Sequence, residues 1–193
     1  YRRESIVVYP PVHTDFFVPD PEVPREDYFV YVGQLSSYKR PYDLLSLVSS
    51  GFCPLKVAGT GAGMSRLVRA ARGLPIEFLG RVDDDEVRRL LQGARGLLFP
   101  GEEDFGMVPV EAMACGTPVI ALDAGGAMET VIPGLTGTRY RTGNFDDAFG
   151  QFLEMEPGFQ EKEIRKSTER FARDRFRNEF LETVTRESGL DLS

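Results

Sequence analysis

Four carboxylates lie close together near the middle of the sequence, in a spacing that could support chemistry. Glu102, Glu103 and Asp104 follow one apolar run, and Glu111 stands inside a second. An ionised carboxylate is costly to bury without a partner, so Glu111 needs a reason to be there. Paired acids could hydrolyse a glycoside, bind a metal or accept hydrogen bonds from a hydroxylated ligand. The lone histidine, His13, lies in a proline-rich stretch, so we expect no histidine-assisted metal cluster.

A helix start beside these acids would supply hydrogen-bond donors. Pro109 suits the first turn of a helix, where its missing N–H costs nothing, so a helix is predicted to begin near Met107 or Val108. The free amides of that turn would donate to a ligand while Glu103 and Glu111 accept. This combination favours a small polyhydroxylated ligand, such as a sugar attached to a nucleotide.

Two further segments place glycines or cations after predicted strands. In "VGQLSSYKRPYDLL", Gly33 permits a close turn, and Lys39 with Arg40 brings two cations to the carboxyl end of a strand. Such a pair is a candidate diphosphate site, although exposed cations are also ordinary surface charge. The glycine loop "VAGTGAG" at 57–63 has Met64 where a dinucleotide-binding loop has glycine. It predicts either a ligand-facing loop or a plain tight turn.

These segments belong to an alternation of short apolar runs and helix-period stretches. Most runs are apolar on both faces, as in a buried parallel sheet. The alternation predicts a doubly wound α/β fold, in which ligands bind outside the carboxyl ends of the strands. Asp83 with Glu86 three residues later resembles a helix capping box. The predicted strands are Ile6–Tyr9, Tyr28–Val32, Leu55–Ala58, Ile76–Leu79, Leu97–Phe99 and Val119–Leu122, and the predicted helices are Tyr42–Ser49, Met64–Ala71, Glu86–Gln92 and Val110–Ala114.

The two ends of the chain differ from its centre. Five prolines between residues 9 and 24 predict an ordered linker. Near the other end, Phe176, Phe180 and Val184 recur every four residues, which predicts a helix that lays an apolar stripe on the body. Predicted ion pairs on this helix are Arg175–Glu179 and Glu182–Arg186, and the predicted division of the chain is 1–24 (linker), 25–170 (α/β domain) and 171–193 (terminal helix).

Composition narrows the classes of function. The 193 residues suffice for one domain, and a formal net charge of -7 argues against a general nucleic-acid binder. Cys53 and Cys115 have no metal-ligand spacing and are interpreted as free thiols in a reducing compartment. No apolar run approaches the roughly 18 residues of a membrane span, so we expect a cytoplasmic protein. Arginines of the terminal helix leave two interpretations open, contact with an anionic membrane surface or a solvated face.

The spacing of Glu103 and Glu111 resembles the E-x7-E signature of the retaining nucleotide-sugar glycosyltransferases of family four. Enzymes of this family have a GT-B fold of two Rossmann-like domains. The resemblance covers about residues 5 to 190 and is closest to cell-surface polysaccharide enzymes, many of them mannosyltransferases. It extends through "YPPVHTDFF", "YVGQLSSYKRPYDLL", "KVAGTGAG", "IEFLGRVDDDEVRRLL" and "GEEDFGMVPVEAMACGTPVIALDAGGAMETV".

The resemblance implies a role for each candidate residue. The donor would be a GDP- or UDP-linked sugar, with no cofactor and no metal. Lys39, helped by Arg40, would neutralise the leaving diphosphate, and Glu103 would hold the hydroxyls of the donor sugar. Glu111 would accept from the ribose hydroxyls. Further donor-binding positions would be Gly33 and Gln34 in the first loop, Gly59 and Gly61 near the nucleotide, Arg81 and Val82 at the nucleobase, and the amides of Phe105, Gly106, Met107 and Val108.

Two features depart from the family pattern. The family often has arginine after the glycine of the first loop, where this chain has Gln34, and this shifts phosphate binding to Lys39 and Arg40. The chain also begins at the segment that joins the two domains, which implies the donor-binding half alone. A glycan or lipid-linked acceptor would bind an N-terminal domain, without which we expect no transfer. A sugar-nucleotide epimerase half and a non-catalytic nucleotide-binding module are alternatives, and a location at the inner face of the membrane is left open.

Overall fold

A computed structural model describes residues 5–45 and 54–188, which build a six-stranded parallel sheet between two layers of helices. The strand order is β3-β2-β1-β4-β5-β6, so the order reverses between β1 and β4. This is the doubly wound, Rossmann-like arrangement that the sequence predicts. The strands are β1 (Phe29–Val32), β2 (Leu55–Ala58), β3 (Ile76–Gly80), β4 (Gly96–Phe99), β5 (Val119–Leu122) and β6 (Gly137–Tyr140).

Alternate side chains of each central strand enter two separate cores. Leu98 and Ile120 pack with Phe149 on one face of the sheet, whereas Leu97 and Val119 pack on the other. The alternation follows from the side-chain period of two in a strand, and burial on both faces explains the nearly continuous apolar runs. The helices are α1 (Met64–Ala70), α2 (Asp84–Gly93), α3 (Met107–Ala114), α4 (Ala127–Thr130), α5 (Phe145–Met155), α6 (Glu161–Lys166) and α7 (Arg173–Ser188).

Five of the predicted strands are confirmed to within one residue, and α3 begins at Met107 as predicted. The predicted strand Ile6–Tyr9 is wrong, because this segment pairs with no strand among the described residues. Tyr9 instead turns towards the body, where its hydroxyl donates to Glu129 over 2.6 Å. The sequence pattern does not predict β6, since its residues Gly-Thr-Arg-Tyr form a mostly polar edge strand.

Two predictions fall partly outside the residues that the structure describes. The predicted helix Tyr42–Ser49 is described only up to residue 45, and residues 43–45 are helical. Of the two predicted free thiols, Cys115 is free and buried, and Cys53 lies outside the described residues.

The proline-rich linker is ordered, as predicted, because it is bonded to the last third of the chain. The amide of Val12 donates to the carbonyl of Phe171 over 2.8 Å. The guanidinium of Arg165 donates to the carbonyls of Phe17 and Thr14, over 3.1 and 3.4 Å. The linker therefore belongs to the folded unit, although its composition differs from the rest.

The terminal helix α7 differs from its prediction. None of its side chains is buried, and Phe180 is 48% exposed, so burial of the apolar stripe on the body is not observed. The predicted pair Arg175–Glu179 is present, whereas Arg186 pairs with Glu187. The recurrence of apolar residues every four positions thus predicts the helix correctly, but it does not predict how far their side chains are buried.

We expect Asp83→Ala to destabilise the protein by about 1 kcal/mol, because it removes a helix cap. The Asp83 carboxylate accepts from the amide of Glu86 over 2.9 Å at the start of α2. Asp83→Asn retains an accepting oxygen and is the control. Urea denaturation measures both, and equal loss in the two variants would contradict the cap.

Candidate functional site

The candidate site lies where the strand order reverses. β1 and β4 are neighbours in the sheet, yet their chains leave towards opposite ends of the strand order. In such sheets the loops that follow the two strands separate and leave a crevice at the carboxyl edge. The residues that the sequence predicts for diphosphate and sugar binding occur in these two loops.

An ion pair joins the two loops across this crevice. The ammonium nitrogen of Lys39, in the single-turn helix Ser37–Lys39 after β1, lies 2.8 Å from Oε1 of Glu103, in the loop after β4. The side chains are only 17% and 23% exposed, so solvent screens their attraction less than at an open surface. The loops also touch through the backbone, because a Cβ added to Gly101 would lie 2.9 Å from Cα of Lys39. The structure thus brings together two residues that are 64 positions apart.

A cavity of about 510 Å³ opens beside this ion pair. Gly106 has φ +79°, a left-handed conformation that glycine adopts without strain, and the next residue starts α3. The amides of Phe105, Gly106 and Met107 have no acceptor in the described parts of the chain, as is usual at a helix N-terminus. The cavity therefore combines an ammonium, a carboxylate and backbone donors. Its lining residues are Tyr38, Lys39, Glu102, Glu103, Asp104, Phe105, Gly106, Met107 and Val108.

A pair of glycines packs against the backbone of the loop that carries Glu102, Glu103 and Asp104. The amide of Gly126 donates to the carbonyl of Glu103 over 2.8 Å. A Cβ on Gly125 would lie 2.3 Å from that same carbonyl oxygen, and a Cβ on Gly126 would lie 2.3 Å from the carbonyl oxygen of Phe105. Only glycine permits this approach, so both residues position the site. The adjacent glycines in "DAGGAME" are the sequence signal that could have identified them.

Aromatic packing fixes the other side of the same loop. The ring of Phe105 lies 5.4 Å from that of Phe171 and 6.1 Å from that of Tyr9, and the last two rings are 5.3 Å apart. The ring of Phe105 is thus held in a three-ring cluster with Tyr9 and Phe171, and this packing fixes the position of the loop. The sequence predicts a role for the Phe105 amide but not for the ring.

A second cavity, of about 340 Å³, lies at the carboxyl ends of the first three strands. The loops after β1 and β2 are pressed together there, since a Cβ on Gly59 would lie 1.8 Å from the carbonyl oxygen of Gly33. The amide of Leu35 also donates to the carbonyl of Thr60 over 2.9 Å. Gly33 and Gly59 thus allow the two loops to pack closely, and both also border the cavity. The cavity gathers the predicted positions Gly33, Gln34, Gly59, Gly61, Arg81 and Val82, with Val32, Ala58, Thr60 and Val87.

Glu111 lies in α3, borders neither of these two cavities and is largely buried. Burial raises the pKa of its carboxyl to about 7, and the nearby charge of Asp84 adds to the shift. No hydrogen bond or cation among the described residues counteracts this rise. The described residues therefore do not pair this carboxylate, and a hydroxylated ligand could do so.

Arg40 is not brought to the Lys39–Glu103 pair. Its guanidinium lies 2.8 Å from the carboxylate of Asp43 and donates to Oγ1 of Thr142 over 2.9 Å. It borders a different cavity, beside Tyr140. Help from Arg40 in diphosphate binding stays a prediction, and the structure gives this arginine other partners.

Comparison with known proteins identifies the family. Residues 14–173 match the family described as glycosyl transferases group 1. The chain belongs to this family. The E-x7-E resemblance and the GT-B type of fold are thereby confirmed, and the individual residue roles remain predictions.

Two curated relatives and one solved structure show how far the similarity extends. The chain is 40% identical over 104 residues to a GDP-mannose-dependent alpha-(1-6)-phosphatidylinositol dimannoside mannosyltransferase of Mycobacterium tuberculosis, covering 50% of this chain and 27% of that protein. It is 31% identical over 179 residues to a D-inositol 3-phosphate glycosyltransferase of Mycolicibacterium smegmatis, covering 81% and 41%. The structure of a lipopolysaccharide outer core galactosyltransferase matches with TM-score 0.79 and 28% identity, covering 96% and 56%.

This group 1 chain spans less than half the length of both curated relatives. Among the described residues, no helix is long and apolar enough to cross a membrane. In the same part of the chain, no three Asp, Glu, His or Cys side chains converge closely enough to hold a metal ion.

The raised pKa of Glu111 predicts how stability depends on pH. Because the folded pKa of about 7 exceeds the ordinary value of 4.5, the stabilising contribution of this carboxyl is complete below about pH 4.5 and is lost as pH rises through 7. Glu111→Gln removes this loss, so the variant should gain stability relative to the parent over that range, by roughly 1–3 kcal/mol. Urea denaturation at several pH values measures the difference.

Glu102→Gln removes one acidic group from an exposed position near the same site and controls for the change in net charge. A difference between Glu111→Gln and the parent that is constant from pH 4.5 to pH 8 would contradict the buried, unpaired carboxylate.

Proposed function

We propose that this chain is the donor-binding half of a retaining glycosyltransferase. It would bind a nucleoside-diphosphate sugar, with a mannose-like hexose favoured, for transfer to a glycan or lipid-linked acceptor. The observation that carries the proposal is the Lys39–Glu103 pair beside the free amides of the α3 start. One cavity then offers a cation for a diphosphate and a carboxylate for sugar hydroxyls, as a nucleotide sugar requires.

Binding of the donor would exchange the partners of this ion pair. The phosphate oxygens would take over the ammonium of Lys39, and the sugar hydroxyls would donate to Glu103. The helix start adds backbone donors and the positive end of the α3 dipole, both of which favour a negatively charged group. Because Lys39 and Glu103 are both largely buried, leaving either charge unpaired would be costly, and the exchange would give each of them a new partner.

The nucleoside would lie between the diphosphate and the second cavity. In this arrangement the base lies against the backbone near Arg81 and Val82, and the ribose hydroxyls donate to Glu111. Ligand hydroxyls would supply the partner that Glu111 lacks, and its pKa would fall on binding. Gln34 is exposed beside the second cavity, so it offers an uncharged side chain where the family often has arginine.

The chemical step would consist of departure of the diphosphate and attack by the acceptor on the same face of the sugar. Lys39 and the start of α3 would stabilise the charge that develops on the leaving diphosphate. The proposal includes retention of the anomeric configuration of the sugar and a transfer that needs no metal ion. The name of the mycobacterial relative, a GDP-mannose-dependent mannosyltransferase, supports a nucleotide-sugar donor and favours mannose.

We predict that the 193-residue chain binds a nucleoside diphosphate but transfers no sugar. Acceptor positioning and exclusion of water would need the N-terminal domain that the resemblance implies. Calorimetry with GDP and UDP measures binding, and a product assay with GDP- and UDP-sugars and a glycan acceptor measures transfer. Turnover by this chain alone would overturn the division into halves, and binding of neither nucleotide would overturn the proposed function.

Glu111→Gln and Glu103→Gln should separate two parts of the donor. Glu111→Gln should weaken nucleoside and nucleotide sugar alike, about 10- to 100-fold, since a hydrogen bond to a charged group contributes roughly 1.5–3 kcal/mol. Glu103→Gln should weaken only the nucleotide sugar. It should also strengthen binding of the nucleoside diphosphate, because the Lys39 ammonium no longer has a competing carboxylate.

Titration of both variants with nucleoside, nucleoside diphosphate and nucleotide sugar gives the comparison. Glu102→Gln serves as the matched control, since this exposed carboxylate borders the same cavity without pairing with Lys39. Equal effects of the two substitutions on nucleoside affinity would contradict the assignment of Glu111 to the ribose and of Glu103 to the sugar.

A further inference from the structure

Arg40 has an unusual backbone conformation immediately after Lys39. With φ at +49° and ψ at +45°, it is the one non-glycine residue with positive φ in the described ranges. An L-residue is strained in this region, because its Cβ approaches the neighbouring carbonyl oxygen. Strain of this kind persists only where surrounding contacts impose it, and it concentrates at functional sites.

Contacts on both sides of Arg40 impose this conformation. Its amide donates to the carbonyl of Ser37 over 3.1 Å and closes the short helix that carries Lys39. Its guanidinium binds Asp43 over 2.8 Å and Thr142 over 2.9 Å. Thr142 follows β6, the edge strand that β4 and β5 separate from β1. This hydrogen bond therefore connects the loop after β1 to the loop after β6.

The Lys39 backbone is therefore confined from two directions. Gly101 lies against its Cα on one side, and the anchored Arg40 continues the chain on the other. A lysine side chain is long and flexible, so the position of its ammonium depends on a fixed backbone. In the described structure that ammonium reaches Glu103 at 2.8 Å.

We infer that Arg40 is a positioning residue, which holds the Lys39 ammonium at the Glu103 carboxylate and at the diphosphate of a bound nucleotide. It acts through the left-handed turn that Asp43 and Thr142 anchor, and its own guanidinium does not contact the diphosphate. The diphosphate part of this inference rests on the proposed function. The placement of Lys39 by Arg40 does not depend on the proposed function.

Chemical modification tests the placement without any ligand. Arg40→Gly keeps the left-handed turn free of strain but removes the anchor, so the protein should stay folded while Lys39 moves. Acetylation of Lys39 by acetic anhydride, followed by peptide mass spectrometry, should be several-fold faster than in the parent. Thr142→Val, which removes only one anchoring acceptor, should change the rate in the same direction but less. Arg141→Ala, which removes an exposed arginine beside Thr142, should leave the rate unchanged.

A double-mutant cycle with GDP and UDP tests the role in binding. Arg40→Gly should lower nucleoside-diphosphate affinity about 3- to 10-fold and leave nucleoside affinity unchanged. In a Lys39→Ala background, the same substitution should cost nothing further. A loss that adds in full to that of Lys39→Ala would mean that Arg40 itself contacts the diphosphate, and would overturn the inference.

The two proposals can fail separately. If the parent chain binds no nucleoside diphosphate, the proposed function fails, and the acetylation rates still decide whether Arg40 holds Lys39. If the parent binds and Arg40→Gly changes neither acetylation nor affinity, the inference fails and the proposed function stands.

Discussion

The short contact between β1 and β4 is the constraint on which the site depends. These strands pair through two residue pairs, Phe29 with Gly96 and Val30 with Leu97, whereas β1 and β2 pair through four. After these pairs the chain continues from β1 to β2 at one side of the pair and from β4 to β5 at the other. The crevice that results is bridged by the Lys39–Glu103 ion pair, and the backbones of the two loops meet where Gly101 lies against Cα of Lys39.

The site combines closely packed backbone with an ion pair between two loops. Gly125 and Gly126 lie against the acidic loop at distances that no side chain would permit, and the ring of Phe105 is held between two other aromatic rings. Against this frame, the Lys39–Glu103 ion pair connects the two loops through its side chains. The buried carboxyl of Glu111 adds a group whose pKa is raised to about 7, chiefly by burial.

Local sequence patterns predict the features that depend on near neighbours. Strand positions follow from apolar runs, the Asp83 cap from the acid three residues before Glu86, and the α3 start from Pro109. Each of these involves residues only a few positions apart. The mostly polar β6 lacks such a pattern, because an edge strand with a single neighbour needs little apolar sequence.

Contacts between distant residues could not be predicted in this way. The sequence identifies Lys39, Glu103 and Glu111 as polar groups of one site, but not the pairing of the first two. It also places Arg40 beside Lys39, whereas the left-handed backbone directs the guanidinium towards Thr142. Adjacent residues share a function only where the backbone lets their side chains point the same way, and that direction depends on tertiary contacts.

The three-ring cluster of Tyr9, Phe105 and Phe171 determines where the chain can be trimmed. Tyr9 precedes the region that matches the family, which starts at residue 14, and Phe171 lies at its far edge. Both rings pack against Phe105 in the loop that carries Glu103, so the contacts of this loop extend beyond the region that matches the family. Deletion of the proline-rich segment together with Tyr9 would remove one ring of this cluster and uncover the rings of Phe105 and Phe171. Truncation boundaries for this protein therefore follow the aromatic contacts and not the change in composition near residue 25.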